Sequence, residues 1–187
     1  MKKYLVKDLM VPISEYATVS KGATLLETLL ALEKAQEEFA HTRYSHRAVL
    51  VLDKNRRVIG KLSQLNFLHV LEQENEHIEH INSISKFGFS PMAIIAYQEK
   101  HRAKGVPIGE TLLTAAKLRV EDFMRSPSEG EYIKESTSLE IAIHQFTTGL
   151  HLSLLVKKGK DITGVLRLSD VFAAVFHAMK ESELKDT

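Results

Sequence analysis

Cysteine is absent from the chain, which removes disulfides, thiolate metal sites and cysteine nucleophiles at once and fits a reducing compartment. An excess of one charge is missing too. Lys plus Arg number 25 against 24 for Asp plus Glu, so no strong field draws the chain to nucleic acid or to an anionic membrane. Long apolar runs are also lacking. The start, Met1 to Asp8, meets charge before any such run forms, and no stretch approaches the roughly 20 apolar residues that cross a bilayer. These absences point to a soluble, cytoplasmic protein that needs neither nucleic acid nor membrane. Catalytic signatures are missing as well: there is no G-x-S-x-G, no G-x-x-x-x-G-K-[ST] and no G-x-G-x-x-G. What remains is 44% hydrophobic content over 187 residues, enough to bury one substantial core or two small ones.

The chain does carry an internal duplication. Val6-Lys7-Asp8-Leu9-Met10 returns as Val120-Glu121-Asp122-Phe123-Met124. A threonine with a glutamate three residues on follows each copy, Thr24 with Glu27 and Thr137 with Glu140. Both pairs read as capping boxes that open a helix. Leu25, Leu26, Leu29, Leu30 and Leu32, against Leu139, Ile141, Ala142, Ile143 and Phe146, recur at helical spacing and predict one buried face each. Ala48 to Leu52 and Leu152 to Val156 are short, continuous apolar runs, expected as strands buried on both faces. Polar turns lead to second strands, Val58 to Leu62 and Ile162 to Leu166, each pair forming a hairpin. A second helix ends each unit, carrying Leu65, Leu68, Val70 and Leu71 or Val171, Phe172, Val175 and Phe176. Helices alternating with small sheets imply a layered α/β or α+β fold.

Residues 72–117 separate the copies. Ser90-Pro91 ahead of Met92, Ile94, Ile95 and Tyr97 predicts a helix over 91–103, and a further short helix runs through Leu112, Leu113, Ala116 and Leu118. The apolar residues of this insert, Ile81, Ile84, Phe87 and Phe89 among them, need a surface to cover. Glu74, His77 and His80 share helical spacing but supply half a metal site at best, and read as a solvated helix end.

The local pattern richest in chemistry is Gly164-Val165-Leu166-Arg167-Leu168-Ser169-Asp170, matched by Gly60-Lys61-Leu62-Ser63-Gln64-Leu65-Asn66. Here a glycine-bearing strand hands over to a helix. Helix N-termini attract anions, and a nearby carboxylate can chelate the two hydroxyls of a ribose. Capping alone accounts for the same residue types, and it is their commoner use.

The doubled order of V-x-D-h-M (h, hydrophobic), capped helix, two strands and G-x-h-[ST]-x-x-D resembles a tandem pair of cystathionine-β-synthase (CBS) domains, over about 4–71 and 118–180. The resemblance implies two small sheets packed about a pseudo-twofold axis with flanking helices, the helical insert lying outside it. It implies a regulatory sensor of AMP, ADP, ATP or S-adenosylmethionine, with no catalytic residues, no required cofactor and no metal, that forms a homodimer and acts on a separate effector protein. Carried over by position, Asp170 would hold the ribose and Arg167 and Ser169 the phosphate. Ile133 and Lys134 would line one wall and Leu152, Ser153 and Leu154 the other. The first copy departs from the pattern with Asn66 in place of the aspartate, so the cleft with Ser63, Asn66, His46 and Arg47 is expected to be the weaker one. Arg167 replaces the usual threonine and would favour a phosphate-bearing ligand. The alternative is a dimerisation or scaffolding module with degenerate clefts. A small hydrolase is the third reading, for which no base or nucleophile stands out.

Overall fold

The computed structural model describes residues 4–38, 45–73, 108–149 and 151–183. The expected helix over 91–103, the apolar residues Ile81 to Ile95 and the Glu74, His77, His80 set lie outside them. Among the described residues no group of three or more His, Asp or Glu could hold a metal ion, and no helix is long and apolar enough to cross a membrane.

In chain order the elements are β1 (Val11–Pro12), β2 (Thr18–Ser20), α1 (Leu25–Glu38), β3 (Ala48–Leu52), β4 (Val58–Ser63), α2 (Gln64–Gln73), α3 (Ile108–Ala115), β5 (Tyr132–Lys134), α4 (Leu139–Gly149), β6 (Ser153–Lys158), β7 (Asp161–Arg167) and α5 (Leu168–Glu183). Both predicted hairpins are present, β3 with β4 and β6 with β7. Each carries a register shift at the same place, Val51/Leu52 and Val156/Lys157, beside the paired glycines Gly60 and Gly164. The duplication therefore extends to irregularities of the sheet.

One sheet has the order β2-β3-β4 and the other β1-β7-β6-β5. The strand β1 comes from the first copy, yet it joins the sheet of the second, with Val11 opposite Val165. A reciprocal bridge sets Arg125, just after the second V-x-D-h-M, against Lys61 of β4. The two lead-in segments are thus exchanged. Val6 packs in the core of the second unit with Ile133, Leu139 and Phe146. Val120 packs in the core of the first with Leu25, Val51 and Leu62. The backbone repeats the crossing: Val6 N–H donates to Thr137 and Val120 N–H to Ala23, while the opening N–H groups of α4 and α1 donate to Tyr4 and Leu118. The helix starts, whose first N–H groups have no partner within the helix, are satisfied by the exchanged chain.

The same crossing explains both motif residues. Met10 lies over Gly164 and Met124 over Gly60: a Cβ on Gly164 would come 2.5 Å from the Val11 carbonyl oxygen and 2.9 Å from Met10 Sδ, and one on Gly60 2.7 Å from Met124 Cγ. The glycine admits the crossing chain. The sheets then meet face to face through Val11, Tyr16, Leu50, Leu155 and Val165.

The capping box at Thr24 is present, with Thr24 N–H donating to Glu27 at 2.7 Å and Glu27 N–H to Thr24 Oγ1 at 3.2 Å. Its expected counterpart at Thr137 is shifted: α4 begins at Leu139, so Ser138 stands at the position of Thr24. Thr137 instead gives its carbonyl to Val6. The insert helix through Leu112 and Leu113 ends at Ala115, before Leu118.

The single buried face expected of the two capped helices, α1 and α4, is corrected. Leu26, Leu30, Leu65, Leu68, Ile141, Phe172 and Phe176 are all about half exposed or more, because each helix turns only one face to its sheet. The buried faces are carried by Leu25, Thr28 and Leu32 on α1, by Val70 on α2, by Leu139, Ala142 and Phe146 on α4, and by Val171 and Ala174 on α5. A second, outward apolar face remains.

Candidate functional site

Both strand-to-helix junctions carry polar side chains, and the two copies use them differently. At the end of β4, Ser63 Oγ lies 2.6 Å from Asn66 Oδ1 and accepts the Asn66 N–H at 3.1 Å, while Ser63 N–H donates to Asn66 Oδ1 at 3.2 Å. The pair closes a reciprocal cap on α2. At the end of β7, Arg167 occupies the place of Ser63. Its Nε and Nη2 each lie 2.6 Å from an oxygen of Asp170, a bidentate pair with side chains 8% and 13% exposed. The fork geometry of guanidinium on carboxylate is among the stronger hydrogen-bonding arrangements of proteins.

Across the seam from this pair stand Tyr16 and His46 of the first copy. Their rings meet edge to face with centroids 4.5 Å apart, and His46 is fully buried. Burial pushes the Tyr16 hydroxyl up to about 12, with the charge of Arg167 opposing and that of Asp170 adding to the rise. Burial likewise holds the His46 imidazole below its ordinary value, helped by Arg167, against a hydrogen bond to the Glu15 backbone and the charge of Asp170. The group is thus composed from both repeats. His46, expected with Ser63 and Asn66, is brought to Arg167 and Asp170 instead.

A second group also crosses the seam. Lys61, on the sheet face where the second copy has Val165, reaches Glu131 at 2.8 Å and Ser153 Oγ at 3.4 Å. Its side chain is 14% exposed and that of Glu131 13%. Burial acts to raise the Glu131 carboxyl, but the hydrogen bonds from Lys61 and the Ser128 backbone outweigh it and hold it below the usual carboxylate range. His151, the counterpart of His46, sits beside Gly130, the counterpart of Tyr16; a Cβ on Gly130 would lie 3.5 Å from its Nε2. One histidine is sealed by a tyrosine and the other faces a glycine.

The remaining predicted residues separate into wall and core. Ile133 and Leu154 are buried in the core of the second unit, so their side chains serve packing. Lys134 is exposed on β5, and Leu152 is 62% exposed with its carbonyl accepting the Leu168 N–H. Ser153 stands opposite Arg167 on the neighbouring strand as well as near Lys61. Ser169 is half-buried in the first turn of α5, and Arg47 is exposed, its carbonyl accepting from Gln64 N–H. Tyr16, Lys61, Glu131 and His151 escaped sequence reasoning. A signal existed for His151, since His46 and His151 recur at the same distance before β3 and β6.

Such an arrangement holds the two group types, guanidinium and carboxylate, that match anions and diols respectively. It pairs a guanidinium with a carboxylate at the N-terminal turn of a long helix.

Comparison with known proteins gives the same architecture. Residues 120–177 match the CBS domain family. No curated protein sequence matches the chain. Among solved structures, a CBS domain-containing protein of unknown function from Bacillus anthracis aligns with a TM-score of 0.61 at 18% identity, over 93% of this chain and 94% of that one. CBSX2 in complex with AMP aligns at 0.58 and 18% identity, over 94% and 98%. The cytosolic domain of the Mg2+ channel MgtE in complex with ATP aligns at 0.52 and 19%, over 89% of this chain and 46% of that one. At these identities the likeness is one of fold.

Proposed function

We propose that this chain, a tandem CBS-domain pair, is a regulatory module that binds an adenosine-containing ligand and signals to a separate partner protein in the cytoplasm. The observation that carries the reading is the Arg167–Asp170 pair, buried at a strand-to-helix junction on the seam between repeats. A ligand held there touches both units, so its binding energy can bias how they sit together. Asp170 would take the ribose diol, Arg167 and the N-terminal turn at Ser169 the phosphate, with Leu152, Ser153 and Lys134 along the walls. That one solved relative holds AMP and another ATP supports the ligand class. No catalytic role is proposed. The outward apolar residues of α1, α2, α4 and α5 support a homodimer.

Thermal unfolding with AMP, ADP, ATP and S-adenosylmethionine in turn tests the reading. A ligand at a hundred times its dissociation constant adds about 2.7 kcal/mol to stability. Asp170→Ala should abolish most of the shift and Asn66→Ala should leave it; no shift with any ligand would sink the proposal. One observation favours the alternative of a ligand-free scaffold: Asp170 and Asn66 are both already satisfied by side chains of their own repeat. Under that alternative Asp170→Ala leaves a dimer unchanged by any nucleotide.

A further inference from the structure

The reading above leaves a conflict at its centre. Asp170 is to chelate a ribose, yet both its oxygens are held by Arg167 at 2.6 Å, and the charges of this pair act on the buried Tyr16 and His46 of the other repeat. The first copy shows what the junction looks like without the guanidinium. There Ser63 and Asn66 cap one another with short neutral groups, and among the described residues no cation occupies the carboxamide. Arg167 is therefore an addition to the junction, and it sits on the one carboxylate that a nucleoside would need.

We propose that Arg167 is a gate that makes the cleft favour anion-bearing adenosine ligands such as AMP over the bare nucleoside, an inference that rests on the nucleotide-binding reading. In the closed state the guanidinium occupies Asp170. A 5′-phosphate takes the guanidinium in the same bidentate geometry, since carboxylate and phosphate both match the fork. Asp170 is released to the two ribose hydroxyls, its charge held by the N-terminal turn of α5. Adenosine carries no anion, whereas the carboxylate of S-adenosylmethionine can also meet the fork. For adenosine, opening the pair gives up the Asp170 contact of a largely buried guanidinium with no ligand anion in exchange. The gate thus disfavours the bare nucleoside, and it links occupancy to movement of a side chain whose charge acts on Tyr16 and His46 of the other repeat.

Titration calorimetry of the intact chain with AMP and with adenosine tests this without any variant: AMP should bind at least tenfold more tightly. Arg167→Ser, which gives the second copy the residue of the first, should weaken AMP and strengthen adenosine so that the ratio falls towards unity. Arg167→Lys keeps the charge but loses the fork, and should preserve part of the preference. Circular dichroism checks that each variant is folded; if Arg167→Ser is not, the wild-type ratio and Arg167→Lys still decide. Adenosine binding to wild type as tightly as AMP would overturn the gate alone, as would an unchanged ratio in folded Arg167→Ser. If neither compound binds wild type or variant, the nucleotide reading falls and the gate with it.

Discussion

At the residue scale, the fold depends on contacts between side chains far apart in the sequence. Gly164 and Gly60 each admit a lead-in segment from the other copy, but through different atoms. At Gly164 the obstacle to a Cβ is the Val11 carbonyl, whereas at Gly60 it is the Met124 side chain. Gly164→Ala should therefore cost at the upper end of the roughly 1–3 kcal/mol typical of overpacking, and Met10→Ala should not rescue it. Gly60→Ala should cost less and be relieved by Met124→Ala; denaturant unfolding of the four variants and the doubles checks this. His46 gives a pH signature. The fold holds its neutral form, so its contribution is complete above its unfolded value of 6.5 and is lost as pH falls below it. Stability should decline on acidification from neutral pH before carboxylates protonate, and His46→Leu should flatten that part of the profile; an identical slope would show that another group titrates. The composition of the site was only partly legible. Asp170, Arg167, Ser63 and Asn66 announced themselves because their motif repeats. Tyr16, Lys61 and Glu131 did not, because nothing local says that a residue of one copy will face the other.

At the scale of elements, patterning was a good guide to existence and a poorer one to faces and ends. The strands over Ala48 to Leu52 and Val58 to Leu62 appear nearly as read, since continuous apolar runs between polar turns leave little alternative. The capping box at Thr24 fixes α1, and Thr24→Ala should cost about 1 kcal/mol. Thr137→Ala should cost less, because α4 starts one residue later and Ser138 takes the cap position; equal losses would contradict that shift. Leu26, Leu30 and Ile141 are exposed although they belong to the apolar set expected to be buried, because helical periodicity reports an apolar stripe without saying what covers it. Phe172 and Phe176, 67% and 50% exposed, share one face of α5. If the proposed homodimer uses this face, Phe172→Glu with Phe176→Glu should convert it to monomer in sedimentation velocity while leaving the circular dichroism spectrum intact.

At the scale of the molecule, the duplication is an exchange. Each core contains a valine from the other copy's lead-in segment, Val6 in one and Val120 in the other, and burying each contributes roughly 1.5–3 kcal/mol. The boundaries read from the repeats, 4–71 and 118–180, therefore cut through both cores. A fragment of residues 4–71 lacks Ala115, Val120 and Met124, and should show no cooperative unfolding transition; one that melts sharply alone would refute the exchange as a requirement. The intact chain should unfold as one unit, with calorimetric and van't Hoff enthalpies in agreement. The same interlocking gives the proposed function its means of output, because Arg167 and Asp170 belong to one repeat and the Tyr16 and His46 they face belong to the other. Titration calorimetry of the intact chain with AMP tests that claim most directly. Saturable binding that Asp170→Ala removes and Asn66→Ala retains is the predicted result, and the absence of any binding heat or thermal shift at millimolar AMP would contradict it.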